Sequence, residues 1–330
     1  MSGPATVLIV SDPHYAGTAE QARRGYELAC APNWAVRQLI GLYRGYVWLR
    51  DPLGNGPFLD AFLQRSGPAD FVIANGDYSA DSAFIGVADD AACASAQECL
   101  GKLRARFGGH LHATIGDHEL GKTSLVGGLG GLRLASWPRT VGELGLRPFW
   151  QFTWGRYVFV GVTSTLLALP VLLREAPASE HAAWEALRAE HLAAVRAAFA
   201  ALQPDQRVLL FCHDPTALPF LAELPEVRAR LPQIEATVIG HLHSQLLLRK
   251  SRLLAGLPPI RWCGVSVARM STALHRAAVW RAFNVRLCPS LTGIQLLKDG
   301  GWLTVELDAE ARQPAKWEFH PLPWGAVKNH

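Results

Sequence analysis

Five short polar clusters run along this 330-residue chain in a fixed order: Asp12-Pro13-His14, Gly76-Asp77, Gly116-Asp117-His118-Glu119, His213, and Gly240-His241-Leu242-His243. They combine carboxylates with imidazoles, a donor set that suits Mn²⁺, Fe or Zn²⁺ and suits Ca²⁺ poorly. Asp12 and His14 are two apart, so at a strand end both can face one ion. Asp77 follows a glycine, and a carboxylate there can bridge two ions because each oxygen keeps lone pairs free. Asp117, His213, His241 and His243 complete two nitrogen-and-oxygen coordination spheres. Two ions about 3.5–4 Å apart share a hydroxide and each grip a phosphate oxygen, and a metal lowers the pKa of its water from about 15.7 toward 7. His118 directly follows a ligand and is the natural proton donor to a leaving oxygen, or an electrostatic clamp on the phosphate. The chemistry expected is hydrolysis of a phosphate ester.

Such clusters need strands to carry them. Apolar runs at 7–10, 71–74, 208–211 and 237–239 each end at a cluster, the pattern of buried strands whose C-terminal ends hold the chemistry. Runs at 157–162, 294–297 and 302–307 read as further strands, with Gly300-Gly301 as a hairpin turn between the last two. Ser179 is the expected N-cap of a helix running to about Leu202, with Trp184, Leu187, Val195, Phe199 and Leu202 on one face and Pro204 closing it. His181 and His191 on that helix are expected in solvent. His110 and His112 share the spacing of a ligand pair but open a strand, and are read as structural. Glu119 is read as orienting its loop, and the Gly127–Gly131 region as a lid or loop near the site.

At 49% hydrophobic content the chain can bury a large single core, and its net charge of +4 says little about nucleic acid, which is not an expected partner. Six cysteines (Cys30, Cys93, Cys99, Cys212, Cys263 and Cys288) show no C-x-x-C spacing and read as reduced thiols of a cytoplasmic protein. No cleavable leader is expected before the first strand, and the longest apolar runs are about half of the roughly 20 residues that a spanning helix needs. The whole chain, 1–330, is therefore expected to form one domain, with insertions at about 20–60, 120–150 and 244–290 acting as a cap or lid.

Taken in order, the five clusters resemble the motif series of the calcineurin-like metallophosphoesterase family: D-x-H, G-D, G-N-H-[DE], a lone His, and G-H-x-H. The resemblance spans positions 12 to 243. It implies an α/β fold of four layers (αββα), two mixed sheets between helices, and an enzyme that hydrolyses phosphomonoesters, phosphodiesters or pyrophosphates with a metal-bridging hydroxide. It also implies two divalent ions, most commonly Mn²⁺: one held by Asp12, His14, Asp77 and His243, the other by Asp77, Asp117, His213 and His241. Position 117 departs from the pattern, being Asp where the family usually has Asn. An Asp still ligates but cannot donate an amide hydrogen bond to phosphate, and it adds a negative charge that a shared proton or nearby cations would have to offset.

A charge asymmetry bears on the substrate. No acid lies between Glu235 and Asp299, a stretch that holds Arg249, Lys250, Arg252, Arg261, Arg269, Arg276, Arg281, Arg286 and Lys298 among leucines and aromatics. If 270–287 is helical, Trp280, Phe283 and Leu287 share a face suited either to a membrane interface or to the core. The segment 34–50 repeats the theme, with Val36, Ile40, Tyr43 and Val47 as one stripe and Arg37, Arg44 and Arg50 between. A cap of this character is similar to that of the family's UDP-2,3-diacylglucosamine pyrophosphatases of lipid A synthesis, which work peripherally on the inner face of the membrane. Their common form has Arg at the position of His118. A lipid-linked substrate predicts that 34–50 and 246–287 line the space above the metals. The rival readings are a phosphodiesterase or phosphatase for soluble nucleotides, and a non-catalytic scaffold of the same fold.

Overall fold

The computed structural model describes residues 4–260, 262 and 265–327. Its strands, in chain order, are β1 (Ala5–Val10), β2 (Phe71–Ala74), β3 (Leu111–Ala113), β4 (Phe149–Trp154), β5 (Tyr157–Val162), β6 (Arg207–Cys212), β7 (Ile234–Ile239), β8 (Val285–Leu287), β9 (Gly301–Leu307) and β10 (Lys316–Pro321). They form two five-stranded sheets, ordered β10-β9-β1-β2-β3 and β4-β5-β6-β7-β8. β1, β2 and β3 run parallel, as do β5 to β8, while β9, β10 and β4 add antiparallel edges.

Strand alternation divides the apolar residues between two cores. Val7 and Ile9 of β1 pack with Phe159, Leu209, Phe211 and Val238 between the sheets. Leu8 and Val10 point the other way and join the helix-covered core. Among the helices are α1 (Trp34–Tyr46), α2 (Gly56–Arg65), α3 (Asp90–Phe107), α4 (Asp117–Leu120), α5 (His181–Ala200), α6 (Gln245–Leu253) and α7 (Val265–Arg276). Phe58, Phe62, Leu100 and Leu103 of α2 and α3 cover one outer face, and Trp184, Val195 and Phe199 of α5 belong to the same helix-covered core. The four-layer α/β sandwich expected from the sequence is the fold observed.

Four local expectations need correction. Residues 294–297 are a turn, tied by Gln295 and Leu296 N–H groups to the carbonyls of Trp48 and Val47 at the end of α1. A four-residue apolar run carries too little periodicity to separate strand from turn. Gly301 is no hairpin turn but the first residue of β9, facing Pro321 of β10. Helix α5 is led in by a 3₁₀ turn over Ala178–Glu180, so Ser179 does not cap it. The Glu180 carboxylate instead accepts from Leu134 N–H and Trp184 Nε1–H.

His191 is the fourth correction: it is buried, and its Nε2 accepts the backbone N–H of Thr163 at 3.2 Å. Beyond α7 the chain continues as a 3₁₀ helix over Ala277–Phe283 and then β8, which leaves Trp280, Phe283 and Leu287 at most 2% exposed. Of the two readings of that face, the core is the one observed. The five described cysteines are free thiols, while Cys263 and Arg261 lie outside the described residues. No described helix is long and apolar enough to cross a membrane.

Candidate metal centre

All five clusters meet at the C-terminal edges of the two sheets. Asp12 and His14 follow β1, Asp77 follows β2, and Asp117 starts α4 just after β3. His213 follows β6, and His241 and His243 follow β7. Asp12, His14, Asp77, His241 and His243 all have φ between 42° and 61°, the left-handed region. Each such residue costs on the order of 1–3 kcal/mol unless its surroundings impose it, so the clustering marks a site where placement overrides backbone preference.

Besides the trio His14, Asp77 and His118, two groups of donor atoms result, each with its atoms within 4.8 Å of one another: Asp77, Asp117, His213 and His241, and Asp12, His14 and His243. Asp77 lies between them, its Oδ2 3.0 Å from His213 Nε2 and 3.8 Å from His14 Nε2. Its Oδ1 accepts the His118 backbone N–H at 3.0 Å, so one oxygen, rather than two, faces both groups. Asp12 Oδ1 is 3.4 Å from His243 Nε2 and 3.8 Å from His213 Nε2. Backbone N–H of His241 donates to the Asp12 carboxylate from the other sheet. A Cβ on Gly240 would come within 2.3 Å of Asp12 Oδ2, so the approach requires glycine.

These residues fit a divalent cation on grounds of hydrogen bonding. The Nδ1 of His213 is 2.5 Å from the Asn75 carbonyl, which takes its N–H. That leaves Nε2 buried, without a hydrogen-bond partner, beside Asp77 Oδ2 and Asp117 Oδ1 at 3.0 and 3.1 Å. A lone pair converging with two carboxylate oxygens is repulsive until a proton or a metal ion lies among them. Burial opposes charge throughout the centre. It raises the Asp12 carboxyl, yet His213, His14 and His243 outweigh it and hold Asp12 at about 2. Burial likewise lowers the His213 imidazole, but Asp77 and Asp12 lift it well above its usual range, so the carboxylates that would flank a metal ion also favour a proton on this ring.

His118 sits at the edge of the centre, with Nδ1 3.1 Å from the Ala80 carbonyl and Nε2 3.8 Å from Asp77 Oδ2. Burial lowers its pKa to about 4 despite Asp77, so the ring is neutral at pH 7. Glu119 lies behind, accepting the backbone N–H groups of Asp77, Tyr78 and Gly116, which is the loop-orienting role expected of it. His110 and His112 are remote: the first bonds the Asp70 carbonyl and the second stacks on Phe152.

Three neighbours were not singled out in the sequence as site residues. Lys122 Nζ is 2.6 Å from Asp117 Oδ2, Asp214 Oδ2 is 3.9 Å from His241 Nε2, and the Trp48 ring stacks on His243 with centroids 4.7 Å apart. Asp214 had a positional signal beside His213, and Trp48 lies in the 34–50 segment expected above the metals, whereas Lys122 had none.

The centre opens into a cavity of about 380 Å³. Its floor holds His14, His118, His241 and His243, and its walls include Tyr43 of α1, Trp48 just after it, Leu247 of α6, and Met270 and Leu274 of α7. Segments 34–50 and 246–287 thus do line the space above the imidazoles. Part of the basic stretch is tied elsewhere: Arg269 pairs with Glu175 at 2.6 Å, Arg276 pairs with Glu223, and Arg286 stacks on Trp317.

No family model matches the chain, and no curated protein matches it. Solved structures of metallophosphoesterases are similar in part. Phosphopantetheinyl hydrolase (PptH) from Mycobacterium tuberculosis is 18% identical, over 74% of this chain and 84% of that one, with a TM-score of 0.36. A metallophosphoesterase from Sphaerobacter thermophilus is 12% identical, over 98% and 91%, with a TM-score of 0.33. Purple acid phosphatase PPD1 from yellow lupin is 9% identical, over 99% of this chain and 55% of that one, with a TM-score of 0.41.

Proposed function

We propose that this protein is a dinuclear metal-dependent phosphohydrolase. The observation that carries the reading is the buried, partnerless Nε2 of His213 beside two carboxylates, in a centre assembled from both sheets and opening to a cavity. Asp12, His14, His243 and Asp77 Oδ2 would hold one divalent ion, and Asp77, Asp117, His213 and His241 the other, with Mn²⁺ the best match and Fe or Zn²⁺ also suited. When bound, the ions supply Lewis acidity toward water and toward the phosphate oxygens.

The remaining roles fall to the chain. The Asn75 and Ser79 carbonyls fix the His213 and His14 rings, and Glu119 fixes the loop that presents Asp77. The Ala80 carbonyl takes the Nδ1–H of the neutral His118 ring, so Nε2 carries a lone pair and must first gain a proton before it can protonate a leaving oxygen or hydrogen-bond a phosphate.

For the substrate we propose an anionic phosphate or pyrophosphate carried on an apolar body, with UDP-2,3-diacylglucosamine as the leading compound. Support comes from the aromatic and aliphatic cavity wall and from exposed apolar residues on the segments that line it: Trp34, Leu39, Leu42 and Tyr46 on α1, Leu253 on α6 and Met270 on α7. Apolar patches of this kind mark contact surfaces, and the exposed Arg37, Arg50, Arg249 and Lys250 suit an anionic leaflet, so the protein would work on the cytoplasmic face of a membrane. The stacked rings of Tyr43 and Trp48 keep a second reading open, hydrolysis of soluble nucleotides with the base on that platform.

The test is to incubate Mn²⁺-loaded protein with UDP-2,3-diacylglucosamine and, separately, with aryl phosphodiesters. Release of UMP and lipid phosphate supports the lipid reading. Turnover of soluble esters alone removes it but keeps the phosphohydrolase, and no turnover of either overturns both.

A further inference from the structure

Asp117 divides its two oxygens. Oδ1 faces the imidazoles of His213 and His241 at 3.1 and 3.0 Å, whereas Oδ2 faces away from them and lies 2.6 Å from Lys122 Nζ. We propose that Lys122 binds the substrate phosphate at this centre, anchored by Asp117, so that the lysine supplies the hydrogen-bond donor which a carboxylate at position 117 cannot. The assignment rests on the phosphohydrolase reading and goes beyond it, since no metal-ligand pattern requires a lysine here.

The chain is built to bring this ammonium back over the centre. Gly121 follows α4 at φ 98°, and a Cβ there would lie 2.4 Å from the Gly131 carbonyl oxygen. Only glycine satisfies both the left-handed turn and that approach, and the turn returns Lys122 to Asp117 five residues earlier. The side chain keeps 26% of its surface and lines the cavity beside His118 and His241. An ammonium carries three donors, and its ion-pair partner among the described residues, Asp117, uses one side of it.

The neighbouring cation is committed elsewhere. Arg269 pairs with Glu175, whose other oxygen accepts the Thr123 N–H at 2.9 Å. The third carboxylate of the centre also lowers its net charge by one against an amide, and Lys122 restores that charge where an anion must bind. A role confined to neutralising Asp117 would satisfy the ion pair without placing donors toward the cavity, and the two roles separate experimentally.

The probe is inorganic phosphate, titrated into full-length Mn²⁺-loaded protein by calorimetry, with Mn²⁺ affinity measured separately. Loss of one charge-assisted hydrogen bond predicts that Lys122→Gln weakens phosphate binding by about tenfold or more. Mn²⁺ stoichiometry and affinity should stay within about threefold, and Lys122→Arg, which keeps the charge, should recover most of the phosphate affinity. Unchanged phosphate binding in Lys122→Gln overturns the assignment, as does loss of Mn²⁺ in step with phosphate. If the wild-type protein binds Mn²⁺ and phosphate but the variant matches it, only Lys122 falls. If the wild type binds no Mn²⁺, the reading of the centre falls and Lys122 with it.

Discussion

The Nε2 atoms of His14 and His243 lie 3.1 Å apart. His14 has its Nδ1 3.3 Å from the Ser79 carbonyl, and His243 has its Nε2 3.4 Å from Asp12 Oδ1. Burial lowers both imidazoles, but Asp12 and Asp77 lift His14 above its usual range, while His243 stays well below. Without a metal ion, Asp12 and Asp77 thus favour a proton on His14. A metal must displace that proton, so its apparent affinity should be lower at pH 6 than at pH 8. Mn²⁺ titrations at the two pH values check this, and equal affinities would contradict it.

Trp48 reports on the same ring. Its stacking on His243, at 4.7 Å and 34°, should make its emission sensitive to a charge arriving at that imidazole. Zn²⁺ is expected to change tryptophan fluorescence in the wild type, and the change should largely vanish in Trp48→Phe with Zn²⁺ stoichiometry retained. A response that survives the substitution would assign the signal to another of the 11 tryptophans.

Gly240→Ala places a methyl group 2.1 Å from Ser11 Oγ and 2.3 Å from Asp12 Oδ2. Asp12 must move, and with it the bond it accepts from the His241 N–H across the sheets. Activity is expected to fall by about 100-fold or more, as for other displaced catalytic groups, with metal stoichiometry below that of the wild type. Full metal content and near-normal turnover would show that the approach of the two strands is not limiting.

His191 sets an acid limit on stability. Burial lowers its pKa to about 4, against about 6.5 for an exposed imidazole. Between those values the unfolded chain binds more protons than the folded one, so stability is full above about pH 6.5 and falls as pH drops toward 4. The loss approaches about 1.4 kcal/mol per pH unit in mid-window. In His191→Gln, which keeps an acceptor for the Thr163 N–H, chemical unfolding at pH 4.5 and 7 should show a smaller difference than in the wild type. An unchanged difference would place the titration elsewhere.

The metal-centre residues were legible because strand ends and polar clusters coincide: the 71–74 run ends at Gly76-Asp77, and β6 hands directly to His213. Tertiary partners were not legible. Trp280 and Phe283 carry the same apolar character on a membrane face or under a sheet, and only the turn of the chain into β8 decides between them. His191 lies seven residues after Trp184 and four before Val195, on the buried face of α5, so its burial had a local signal, but nothing local announces the Thr163 N–H that it accepts. Lys122 escaped notice for a related reason. One lysine five residues past a ligand has no meaning until Gly121 bends the backbone beneath it.

The Asp12 carboxylate accepting the His241 N–H, and the Asn75 carbonyl accepting the His213 Nδ1–H, each join one sheet to the other. The centre is therefore a rivet between the sheets, whatever reaction it carries. A descendant of this chain that lost its affinity for cations would keep three buried carboxylates at its midline, offset only by the imidazoles around them. It would have to rebuild that seam before it could drift, and a single substitution among these residues would cost cohesion as well as turnover.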